Sequence, residues 1–185
     1  MGKGGKLRLQ ANDSIKQLEL PGIDGTIFNL EQVRDKRFML SFFRFAACPF
    51  CNLRIHQLVS RFEEFGSNFT IIAVFDSPLD NLQRFTEKHE APFPILADHT
   101  NKYYRQYGVE RSFYGMLKGM IGRLPKLLYG MLVKGYLPFP FKGNLLTMPV
   151  DILVGENGLV KMAYYGKDEG DHLPFEVIKD FSHGT

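Results

Sequence analysis

Tryptophan is absent from the 185 residues, and cysteine occurs only twice. Two cysteines cannot build the multi-bridge framework that holds small secreted domains together, so stability has to come from a packed core. No run approaches 18 uncharged apolar residues, which argues against a membrane-spanning helix. The opening MGKGGKLRL carries charge with no apolar stretch behind it, so no secretory signal is read there. Gly2 follows Met1, but Lys6 stands where a myristoylation signal needs Ser or Thr. A cytoplasmic protein is the expectation. Charge is also scarce: a formal net charge of +3 is too mild to argue for nucleic acid. Acidic residues are missing altogether from 111–146, where Arg111, Lys118, Arg123, Lys126, Lys134 and Lys142 stand. Those six charges exceed the chain's total, so the remainder is net negative.

The apolar content of 44% and charged content of 23% are ordinary for a globular chain, and 1–185 is read as one domain. Its two cysteines, Cys48 and Cys51, sit in FFRFAACPFCNLRIH, where an apolar strand expected at about Arg37–Phe45 gives way to a helical pattern starting at Pro49. A cysteine at a helix start lies beside unpaired N–H groups at the positive end of the macrodipole, and both favour the thiolate. A second cysteine one turn on is within disulfide reach. Pro49 suits a first helical turn, where its missing N–H has no partner to lose. The pair therefore reads as a dithiol/disulfide centre: Cys48 attacks and Cys51, deeper in the helix, resolves. A structural zinc site needs four ligands, and neither a second C-x-x-C nor a paired-histidine motif exists, so no metal site is read. No organic cofactor is implied either. Arg44, four residues before Cys48, lowers that thiol's pKa if it points the same way; otherwise it is an exposed strand-end charge.

Around this centre the periodicity alternates. Gln17–Leu20 and Thr26–Phe28 flank PGIDG as a hairpin, and Asn29 is placed to cap a turn reaching Val33. A helix is expected from Pro49 through Phe65 with Gly66 as its C-cap, then a strand at Phe69–Phe75. A helix from Pro78 to about His89, a short strand at Pro94–Leu96 and a helix from Thr100 to Tyr107 follow. Strand and helix in alternation predict parallel pairing. The segment 111–146 breaks the rhythm as an insertion, read as helices over 112–122 and 125–133 and an irregular PFPF turn. Met148–Gly155 and Leu159–Tyr165 form an antiparallel pair across GENG, and Leu173–Ser182 is a last helix. Within this last part, Met148-Pro149 either simply starts a strand or is a cis peptide that brings free backbone close to the dithiol. Asp151 is read as facing a sheet edge rather than serving as a proton acceptor for Cys51, and Asp171-His172 as a turn.

These pieces together resemble the thioredoxin-fold superfamily, and specifically its peroxiredoxin-like branch, the AhpC/TSA or redoxin proteins. The matching stretches are LELPGIDGTIFNLEQV, FMLSFFRFAACPFC, FTIIAVFDSPLDNLQRF, FPILADHTNKYYRQYGV and MPVDILVGENGLV. The resemblance implies an α/β, thioredoxin-like fold: a central mixed β-sheet flanked by helices, here with a basic helical insertion. It matches Cys48 to the reactive cysteine, Cys51 to the thioredoxin-type second cysteine and Pro149 to the cis-proline, with Pro49, Phe50 and Met148 beside the substrate. It also implies a dithiol electron donor of the thioredoxin or glutathione kind. Peroxiredoxins place Pro seven residues and Thr or Ser three residues before the reactive cysteine, where this chain has Ser41 and Phe45. They carry an Arg where it has Pro149. Thiol–disulfide exchange is therefore the leading expectation. Hydroperoxide reduction at Cys48 is the alternative, and a redox-switched adaptor using 111–146 a third. That segment is read first as a solvated helical pair covering a sheet edge, then as a lid or partner surface, then as an interfacial membrane contact.

Overall fold

The computed structural model describes residues 8–184 apart from 16, 87–88, 138, 140 and 141. Residues 87–88 near the end of the helix expected to reach His89 and most of the PFPF turn lie outside the described residues. A hairpin opens the chain, β1 (Glu19–Pro21) with β2 (Ile27–Asn29). The Asn29 side chain caps the 3-10 turn Leu30–Val33 through the Glu31 N–H, which an extended Asn does well.

Five further strands make one sheet in the order β5-β4-β3-β6-β7. They are β3 (Arg37–Phe42), β4 (Phe69–Phe75), β5 (Ile95–Ala97), β6 (Val150–Val154) and β7 (Val160–Tyr165). β3, β4 and β5 run parallel, joined through α1 (Pro49–Ser60) and α2 (Leu79–Thr86), while β6 and β7 run antiparallel. The sheet is covered on both faces, which is why β3 is buried from Phe38 to Phe42 and mostly apolar there, Ser41 excepted. Met39 faces the α1 side with Ile55, Leu58, Ile71 and Ile178. Leu40 and Phe42 face the other side with Ile72, Tyr104 and Ile152. α3 (Lys102–Gln106) follows β5, and α6 (Phe175–His183) closes the chain.

Two boundaries differ from expectation. β3 ends at Phe42; Phe43, Arg44 and Phe45 beyond it are buried beside the dithiol and tied to β4 by single backbone bonds, Phe43 N–H to Val74 O (2.8 Å) and Asp76 N–H to Arg44 O (3.2 Å). α1 ends at Ser60, and the helical spacing to Phe65 is carried by a separate 3-10 turn, Phe62–Glu64. Gly66 is therefore no C-cap. Its lack of a side chain lets the backbone pass beside the Ser182 carbonyl of α6.

The insertion is closed at its base, where Ser112 N–H donates to Leu146 O (2.8 Å) and Met148 N–H to Glu110 O (2.9 Å). It holds α4 (Phe113–Gly122) and α5 (Leu124–Leu128), which runs into a wider π-type turn, Tyr129–Val133. α5 and the π-type turn pack on α1, while α4 lies against Met148 and the 167–169 stretch that follows β7, so the expected edge cover is largely a cover on the helix that begins at the dithiol.

Candidate active site

Cys48 is the N-cap of α1 with extended backbone (φ −66°, ψ 120°), and Pro49 occupies the first turn. Its approach, 43–47, is held by groups distant in sequence. Tyr104 Oη lies 2.6 Å from the Phe43 carbonyl, and the Ala46 N–H donates to Ser77 Oγ (2.9 Å). Asn52, buried in α1, donates Nδ2 to the carbonyls of Ala46 (2.8 Å) and Cys48 (2.9 Å) and pairs its Oδ1 with His89 Nε2 (2.9 Å). Burial lowers the His89 pKa to about 4 with help from the nearby His56, so its ring is neutral and donates.

Arg44 points at the sulfur. Its Nη1 is 3.6 Å from Cys48 Sγ, while Nη2 donates to the Leu145 carbonyl of the insertion. Both thiols are free and closed to solvent, Cys48 at 0% and Cys51 at 1% exposure. Burial opposes a charge on Cys48. The hydrogen bond from Cys51, the Arg44 guanidinium and the N–H groups of Cys51 and Phe50 more than offset it, lowering the pKa to about 6. Cys51 goes the other way, raised by burial and by giving its hydrogen bond to Cys48. Two thiols one turn apart are thus split into a thiolate and its proton-bearing neighbour.

A group that sequence reasoning missed sits beside them. Glu169 is 2% exposed, its Oε2 has no hydrogen-bond partner, and Gly119 of α4 lies against its carboxyl. Burial raises its pKa to about 7; Arg44 pulls it down and the Cys48 thiolate pushes it up. Glu169 follows β7, far along the chain from the cysteines, and nothing in its local pattern marks it.

Other expected site residues are placed as follows. Pro49 lies under Gly130 of the insertion, and Phe50 is buried against Gly170. Met148 packs on Gly115 of α4. Backbone near Pro149 does not stay free for an extended substrate. Met148 N–H is used by Glu110 O, and Pro149 O accepts from Gly166 N (2.9 Å). Asp151 does not face an edge. It is fully buried, takes hydrogen bonds from Ser41 Oγ, Leu173 N (2.8 Å) and His172 Nδ1 (3.1 Å), and has Arg54 as a neighbouring charge. Asp171 does form a turn, accepting from Tyr164 Oη (2.7 Å) and Lys167 N (2.8 Å).

The sheet order, the crossover helices and a cysteine at the start of α1 define a thioredoxin-like fold. The AhpC/TSA family model matches residues 11–163, and the chain belongs to that family. Among solved structures it is similar to a thiol peroxidase from Chromobacterium violaceum (15% identity, 96% of this chain and 88% of that one, TM-score 0.65). It is also similar to the peroxidoxin BcpB from Mycobacterium tuberculosis (16% identity, 89% and 90%, TM-score 0.64). A candidate thiol:disulfide interchange protein DsbE from Chlorobium tepidum shares the fold as well (18% identity, 84% and 85%, TM-score 0.55). No curated protein sequence matches this chain. Among the described residues, no helix is long and apolar enough to cross a membrane.

The electrostatics of Cys48 are directly testable. Alkylation of Cys48 by iodoacetamide, followed by mass spectrometry across pH, is expected to rise with a midpoint near 6. In Arg44→Met the midpoint should move up, because one of the charges favouring the thiolate is gone. An unmoved midpoint would show that Arg44 does not act on the sulfur.

Proposed function

We propose that this chain is a thiol–disulfide oxidoreductase cycling between the Cys48/Cys51 dithiol and their disulfide. The observation that carries the reading is the division of the pair into a thiolate held by Arg44 at 3.6 Å and a protonated partner one turn on. Cys48 S⁻ attacks one sulfur of a substrate disulfide, forming a mixed disulfide and expelling a thiolate, which takes the Cys51 proton. Cys51 S⁻ then attacks Cys48 Sγ, closing the intramolecular disulfide and releasing the second thiolate. The substrate disulfide gains two electrons, and an external dithiol of the thioredoxin or glutathione kind restores the reduced pair. Such donors belong to a reducing compartment, and a cytoplasmic site of action is part of this reading.

Two observations favour a second reading, in which the oxidant is a hydroperoxide. The thiolate is closed to solvent and the Met148 N–H is engaged, so a small oxidant fits better than a strand of polypeptide. Arg44 also supplies positive charge where an O–O bond would break. In that reaction Cys48 S⁻ takes the terminal oxygen as sulfenic acid, the alkoxide leaves with a proton from Glu169, and Cys51 displaces water to form the disulfide. Stopped-flow mixing of the reduced protein with glutathione disulfide, and separately with hydrogen peroxide, decides between them. Disulfide exchange predicts intramolecular disulfide formation with the former and a peroxide rate no better than a free thiol's. Fast, saturating thiol loss with peroxide assigns the second reading.

A further inference from the structure

Helix α4 is built inside out. A helix on a globular protein normally turns its large apolar stripe to the core. Here the inward positions are Gly115 and Gly119, against Met148, the Lys167 carbonyl and Glu169. Phe113, Leu117, Met120, Ile121 and Leu124, spaced at three and four residues, are all exposed, Ile121 by 70%. The stripe continues at one-turn steps through Leu128 to Leu132, which is 78% exposed. Among the described residues, every exposed large apolar side chain except Ile27 and Met162 lies between Phe113 and Leu145. Soluble chains seldom carry such a continuous patch without something to meet it.

Charge identifies what meets it. Lys118, Lys126 and Lys134 are exposed along the same segment, which has no acidic residue, while the remainder of the chain is net negative. A second copy would bring this positive face against itself, because a two-fold interface repeats the same patch. A bilayer with anionic lipids offers an apolar interior beneath a negative surface, and it repels the rest of the molecule, so it selects this face. The exposed tyrosines Tyr114 and Tyr129 suit the headgroup layer. We infer that the exposed face of 113–134 is a peripheral docking surface for an anionic lipid bilayer, with the leucine-rich stripe inserted and the lysines on lipid phosphates. The inference rests on surface chemistry and stands apart from the redox reading.

Flotation of the full-length protein with vesicles of phosphatidylcholine alone, or of phosphatidylcholine with phosphatidylglycerol, tests it. The expected result is binding to the anionic vesicles at least about tenfold stronger than to the neutral ones, weakening as salt is raised. Leu132→Glu and Lys126→Glu should each lower that binding by about tenfold or more. Both side chains are exposed, so circular dichroism and thermal melting of the variants should match the native protein. Equal binding to both vesicle types, no binding by the native protein, or undiminished binding by both variants would overturn the inference. So would a concentration-dependent dimer that Leu132→Glu dissolves, which would assign the face to a second copy.

Discussion

Replacing Cys48 with serine is expected to lower turnover of any disulfide or hydroperoxide substrate by at least about three orders of magnitude, since a hydroxyl at this position is un-ionised near neutrality. Cys51→Ser is expected to behave differently. The first attack survives, slowed by less than about tenfold, because Cys48 keeps Arg44 and the helix N–H groups, and the serine hydroxyl can donate where the Cys51 thiol did. The product then cannot resolve. Mass spectrometry should find Cys48 carrying either the substrate's thiol or one added oxygen, and the identity of that adduct reports the oxidant. Cys48→Ser retaining undiminished turnover would remove the assignment of the nucleophile. Equal first-step rates in the two variants would remove the division of labour.

The second large effect concerns stability. Asp151 is the anion of a buried network in which β6, β3, the link into α6 and α1 converge through Asp151, Ser41, His172, Leu173 and Arg54. Removing one partner of a buried ionic cluster leaves the others uncompensated, at a cost of about 3–5 kcal/mol. Asp151→Ala should lose that much in urea denaturation. Asp151→Asn should recover little, because its amide turns donors toward a site already full of donors. Burial alone would raise the Asp151 pKa, but the charges of His172 and Arg54 and its hydrogen bonds lower it to about 2. A depressed folded-state pKa means the stabilisation is fully present above the unfolded value near 3.9 and is lost as pH falls toward about 2, an acid-linked term of about 2–3 kcal/mol. The native protein should therefore destabilise more steeply than Asp151→Asn over that window. A loss under about 1 kcal/mol with an unchanged acid limb would mean the network contributes no such energy.

How far the chain announces these features depends on the range of the interactions involved. β4 is legible because the run Phe69–Phe75, apolar and β-branched with Thr70 its one polar residue, has no other stable place than a strand covered on both faces. Cys48, Pro49 and Cys51 are legible because helix-start chemistry is local, and Arg44 is near enough in sequence for its contact to be anticipated as a condition. The end of β3 was not, since Phe43–Phe45 are buried for the sake of the site and burial alone does not reveal pairing. Ser77, His89 and Tyr104 hold the approach to Cys48 from separate elements, and only the assembled sheet brings them together. Asp151 and Glu169 are the hardest: an acid in an apolar strand carries no sign of whether its partner is water or a buried cation, and an acid in the polar run 166–171 carries no sign that it is buried.

Neither sulfur of the pair meets solvent, and this has a kinetic meaning. For any reagent too bulky to reach Cys48 through the closed cover, the observed rate factors into an opening equilibrium and the intrinsic reactivity of the thiolate. All such reagents share the first factor, so their relative rates report sulfur chemistry while their common scale reports how tightly the Gly130 turn, Leu145 and the Glu169 loop sit on the helix start. Where opening is slower than reaction, the rate ceases to depend on reagent concentration and becomes a clock for the cover itself.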